Sequence, residues 1–229
     1  MPTALLPFVR AIGQMGDRTF IGVLLRCLAW SAVCFVALHI FAVWAVERFV
    51  HWHGLLGWGA GLLASIGASL LAAWLFLPLA AVIGTLYFDR IAAAVERRYY
   101  PTLPPPEGAS IPAQLWDGIC LGTRILLLDL LALVLALILP GIGLLLAWAV
   151  AAYAIGRGLF VMVAMRRLPR HAANTVYRAA RGMIFAYGGL MAAAAYVPVL
   201  NLFIPILGTA AMVHVLDLAL TQIRQSAWG

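Results

Sequence analysis

Four tracts of the chain contain no Asp, Glu, Lys or Arg: Cys27 to Val46, Gly54 to Phe88, Leu130 to Gly156 and Gly182 to Val213. In a helix, about 20 apolar residues cover the ~30 Å hydrocarbon layer of a bilayer, so each tract can cross a membrane. Three of them are long enough to turn or break inside it. Turn chemistry marks two such breaks, at Pro140-Gly141-Ile142-Gly143 and at Pro198-Val199-Leu200-Asn201 with Pro205 beyond. Proline removes a backbone donor and glycine loosens a helix, so each break is expected at a hairpin tip packed in protein or lining a wet cavity. The arm from Met183 to Val197 measures ~22 Å at 1.5 Å per residue, short of a full crossing.

The polar stretches between the tracts complete the plan. Asp89 to Arg98 reads as a helical extension ended before Pro101 and the Pro104–Pro106 run, which is a loop. Ser110 is placed to cap the next helix, with Pro112 in its first turn. Arg166 to Arg181 reads as a basic surface helix with Arg178 and Arg181 three residues apart. The expected fold is all-α, a multi-pass integral membrane protein with long spanning helices and re-entrant, partly penetrating helical hairpins. It forms one domain over 1–229: a helical hairpin 19–100, a cytoplasmic loop 101–111, a helical hairpin 112–165, a basic cytoplasmic helix 166–181 and a re-entrant hairpin 182–221.

Charge orients this plan. All 15 basic side chains are arginine. Arg10, Arg18 and Arg26 precede the first span, Arg90, Arg97 and Arg98 follow the second, and Arg157, Arg166, Arg167, Arg170, Arg178 and Arg181 fill the next polar region. The positive-inside rule makes all three regions cytoplasmic, with both termini inside a bacterial inner membrane. Glu47 to His53 is then the periplasmic turn, and Trp30, Trp44, Trp52 and Trp58 are candidate interfacial anchors. A net charge of +7 can signal nucleic acid. These arginines flank apolar segments and form no basic stripe interleaved with aromatics, so no nucleic acid is expected and the lipid bilayer is the partner.

Composition agrees, since 65% hydrophobic residues and a mean hydropathy of +1.02 exceed what a soluble core requires. Cys27, Cys34 and Cys120 lie in or beside apolar helices, too few for a disulfide framework. The first apolar run is closer to a full span than to a cleaved leader, and a retained signal anchor is expected.

Candidate chemistry is sparse. No nucleophile–base spacing, metal-spaced Cys/His cluster or phosphate-cradling glycine loop appears, so neither enzymatic activity nor a cofactor is expected. His51 and His53 can ligate a metal but read as interfacial polar residues, and no metal site is assigned. Asp129 interrupts an apolar run: an intramembrane acid is a functional candidate, and a shallow, paired position is the alternative. Gly16, Asp17 and Arg18 offer helix-start N–H groups and a guanidinium to an oxyanion, or simply a topological charge. Asn201, between Pro198 and Pro205, can satisfy the broken backbone or contact a solute.

The segments Gly156 to Leu168 and Pro198 to His214, with Pro140–Gly143 and Tyr87–Arg90, resemble the bacterial CysZ-type sulfate permeases and the wider etoposide-induced-protein domain. The resemblance covers most of the chain and is most specific at the Pro-x-x-Asn-x-x-x-Pro stretch. It implies an all-helical inner-membrane homo-oligomer that passes sulfate inward. Gly16-Asp17-Arg18-Thr19 matches the family's Gly-Leu-Arg segment, where Asp17 replaces an apolar residue and would repel a dianion. Gly158 and Val161 stand where many relatives carry acids. The function expected is transport of a small inorganic anion, foremost sulfate. The alternative is a non-transporting membrane scaffold or lipid-associated assembly factor.

Overall fold

The computed structural model describes residues 6–14, 16–49, 59, 61–63, 65–67, 69–70 and 87–228. Among them there is no strand. The helices are α1 (Leu6–Gly13), α2 (Arg18–Phe49), α3 (Phe88–Tyr99), α4 (Ile111–Ile138), α5 (Pro140–Met165), α6 (Arg170–Ala179), α7 (Arg181–Ala195) and α8 (Pro198–Trp228). Among the described residues, four stretches are long and apolar enough to cross a membrane: Arg18–Phe41, Ile111–Ile138, Gly141–Met165 and Phe203–Gln225. The protein is therefore all-α and multi-pass, as its hydropathy pattern requires.

The chain divides into two compact units, Asp17–Phe88 and Met1–Gly16 with Asp89–Gly229. In the first, α2 is a 32-residue helix carrying Trp30 and Trp44 exposed on its surface. Asp17 starts it, accepting the Thr19 N–H at 3.1 Å. The turn expected to be periplasmic, with His51, Trp52 and His53, and most of the second arm with Trp58, lie outside the described residues.

In the second unit α5 is the hub, packing against α4, α7, α8 and α6. The link from α4 to α5 is Leu139 alone, whose N–H donates to the Leu135 carbonyl at 2.7 Å. Gly143 permits so tight a turn, because a Cβ there would overlap the Ala136 backbone. The crossing of α5 and α7 is equally close: a Cβ at Gly188 would overlap the Ala152 carbonyl, and one at Gly156 would come within 2.7 Å of the Ile184 carbonyl. Small residues at a crossing let backbones approach, which is how helices associate where lipid weakens the hydrophobic drive.

Ser110 occupies the cap position of α4, but its side chain makes no capping bond. Pro112 removes one of the two N–H groups a cap would reach, and the Gln114 amide instead donates to the Ala109 carbonyl at 2.9 Å. The basic stretch 166–181 is not one helix: Arg178 lies in the last turn of α6 and Arg181 opens α7, with Ala180 breaking the backbone between them. The apolar tract around Pro198 turns at Tyr196–Val197. Pro198 is the first residue of α8, a position that needs no donor, and Pro205 lies inside that helix. At 15 residues, or ~22 Å, α7 is much shorter than the 31-residue α8.

Candidate functional site

Three groups of polar side chains are built into the second unit, and one is deeply enclosed. Arg157 lies on α5 eight residues before Met165, ~12 Å along the helix from its polar end, and is 6% exposed. Asp117 faces it from α4, six residues after Ile111, and is 4% exposed. Arg157 Nη2 donates to Asp117 Oδ1 at 3.2 Å and forms an ion pair with Oδ2 at 3.1 Å. The same nitrogen donates to Asn174 Oδ1 on α6 at 3.0 Å. Arg170 Nε and Asn174 Nδ2, also from α6, add bonds to Asp117 Oδ1 at 3.2 and 3.3 Å. The guanidinium lies over the Tyr177 ring, 5.7 Å from its centroid. One group stays unmatched, because Arg157 Nη1 is enclosed and has no hydrogen-bond partner among the described residues.

Two guanidiniums therefore share one carboxylate. Arg157 and Asp117 are both enclosed and Arg170 is partly exposed, so the surplus positive charge lies on the surface side of the cluster, where it favours the approach of an anion. Beside Asp117, between α4 and α5, is a cavity of about 120 Å³ lined by Gln114, Gly118, Leu121, Gly158, Val161 and the two methionines Met162 and Met165.

The second group ties the ends of helices together. Glu96 on α3 receives Arg166 Nη1 at 2.8 Å and Arg167 Nε at 2.7 Å. Burial opposes its ionisation, but the hydrogen bonds from Arg167 and Arg166, reinforced by their charges, hold its carboxyl below the usual range. Arg166 Nε also reaches Asp89 at 3.0 Å, and Arg167 Nη1 the Pro104 carbonyl at 3.1 Å. In the third group, the Tyr100 hydroxyl is 2.8 Å from His214 Nδ1. Burial, then the negative charge of Asp217, pushes the Tyr100 phenol up to about 12. Arg10 from α1 stands over the Tyr99 ring at 5.7 Å, and Tyr99 meets His214 edge-on at 4.8 Å.

The residues singled out by sequence are dispersed. Gly16 and Arg18 are exposed at the start of α2, where Asp17 accepts one of the helix-start N–H groups. Asp129 is exposed on α4, and its side chain has no hydrogen bond or ion pair among the described residues. Asn201 lies in the first turn of α8, its N–H donating to the Val197 carbonyl at 2.9 Å. Past Pro205, the Thr209 hydroxyl bonds the Pro205 carbonyl at 2.6 Å. Sequence reasoning missed Asp117, Arg157 and Asn174 as a site. The available signal was Arg157 itself, a lone charge inside an apolar helix, which merits the attention given to Asp129.

No curated protein matches the chain. No solved structure matches it either. A family model described as Sulfate transporter CysZ/Etoposide-induced protein 2.4 matches residues 7–205, most of the chain, and the chain belongs to that family.

Proposed function

We propose that this protein is a transporter or channel for a small inorganic anion, sulfate foremost, working as a homo-oligomer in the bacterial inner membrane with both termini cytoplasmic. The carrying observation is Arg157, a buried cation on a helix apolar enough to cross a bilayer, with one guanidinium nitrogen unmatched. A charge so placed is costly to a purely structural helix and useful on an anion's route. Family membership supports the same reading. Arg18, exposed at the head of α2, serves as a contact for the anion at the mouth of the pathway. Asn201 and Asp129 are further pathway candidates.

Purified protein in liposomes should take up radiolabelled sulfate above protein-free controls, and Arg18→Ala should weaken sulfate binding severalfold without loss of expression. Absence of sulfate uptake, and of phosphate uptake in the same vesicles, would overturn the reading. The second reading, a non-transporting membrane scaffold, draws support from Asp17, whose carboxylate occupies the helix start otherwise open to an oxyanion. That reading predicts empty liposomes.

A further inference from the structure

We propose that Asp117 is a built-in competitor for an oxyanion site formed by Arg157, Arg170 and Asn174, and that an incoming inorganic oxyanion exchanges with its carboxylate. The inference rests on the anion-transport reading for its physiological ligand, and it assigns that ligand a place on α4, α5 and α6, apart from the start of α2.

The cluster already displays what it recognises. The Asp117 carboxylate gathers Arg157, Arg170 and Asn174 donors, all between 3.1 and 3.3 Å. Guanidinium forks and amides suit planar carboxylates and tetrahedral oxyanions alike, because both present paired oxygens at similar spacing. A single carboxylate leaves the two guanidiniums with one unbalanced charge and leaves Nη1 without an acceptor. In the carboxylate's place a dianion would balance the two guanidiniums and bring additional acceptor oxygens.

Exchange needs an approach and a place for the displaced side chain. Arg170, with its side chain 39% exposed, carries the cluster to the surface. The 120 Å³ cavity beside Asp117 is bordered by Gly118 and Gly158, and no atom lies within 4 Å of a Cβ built on Gly118. The Asp117 carboxylate can turn into this space toward Gln114 at the polar end of the hairpin. Tyr177 meanwhile holds the Arg157 guanidinium by its face.

The test is calorimetric titration of sodium sulfate into the purified full-length protein. Asp117→Asn keeps the shape and removes the competing charge, so sulfate should bind at least tenfold more tightly than to the parent. Adding Arg157→Gln should abolish that gain. A folded Asp117→Asn protein with no gain overturns the proposal. Should that variant not fold, Asn174→Asp places a second carboxylate beside Arg157 with little change in size. Sulfate affinity must then fall at least tenfold, and equal affinity, or no binding in either protein, overturns the proposal. Nanodiscs separate the two sources of oxyanion. A gain seen with phosphatidylglycerol but not with free sulfate makes a lipid headgroup the ligand, whereas a gain in phosphatidylcholine discs with added sulfate makes it the free ion. Liposome uptake by the parent keeps the two readings distinguishable. Sulfate uptake without an Asp117→Asn gain leaves transport standing and removes the competitor, and a gain without uptake does the reverse.

Discussion

Arginine does several different jobs in this chain, and neighbours decide which. Arg166 and Arg167 clamp Glu96, whose ionised form they favour strongly enough to overcome its burial. A carboxyl depressed in the folded state stabilises it fully above the ordinary value of ~4.3, and that contribution is lost as pH falls through the lower folded value. Melting temperature should thus be insensitive to this group from about pH 8 to about pH 5 and drop in stronger acid, and Glu96→Gln should flatten the acid limb. Tyr100 has the opposite sign. Its raised phenol contributes stability below the ordinary ~10 that is lost as pH climbs toward about 12, so Tyr100→Phe should remove an alkaline unfolding step seen by near-ultraviolet absorbance. Neither partner set was legible in the sequence. Glu96 and Arg166 are far apart along the chain, and only the fold brings them together. Arg157 was visible as a residue but was grouped with the polar region after it, because charge counting along a line cannot tell an enclosed guanidinium from a snorkelling one.

Helices were more legible than contacts. The Pro140–Gly143 break falls where α4 ends at Ile138 and α5 begins at Pro140, because a proline fits the first position of a new helix. The break at Pro198–Pro205 was read too broadly. A proline is tolerated at the first position of a helix, and Pro205 lies inside α8 without ending it, so α8 continues where composition alone expects a tip. The crossing of α5 and α7 could not be read at all, because glycine marks flexibility and close packing with the same letter. Its energetic weight can be measured: Gly188→Val must push against the Ala152 carbonyl and should cost about 3 kcal/mol, visible as lost thermal stability in detergent. Gly182→Val, where no atom lies within 4 Å of an added Cβ, should cost under about 1 kcal/mol by the same assay.

At the scale of the molecule, arginine placement makes a topological statement that the helices leave open. If the regions around Glu107 and Arg178 are cytoplasmic, Glu107→Cys and Arg178→Cys, introduced into a background lacking Cys27, Cys34 and Cys120, should resist a membrane-impermeant thiol reagent in intact cells and react after permeabilisation. Labelling of either from outside would rule out that orientation. The single-residue link at Leu139 bears on how the protein is made. Most membrane hairpins must carry a polar loop across the bilayer as they form, but the α4–α5 turn is Leu139-Pro140-Gly141-Ile142-Gly143, with no charge and no polar side chain to transport. Synthesis can release this pair sideways into lipid as one finished unit, joined where Gly143 meets Ala136. An epitope inserted at Leu139 would add the translocation step that the native turn avoids, whereas the exposed stretch 102–107 offers a site for such an insertion without it.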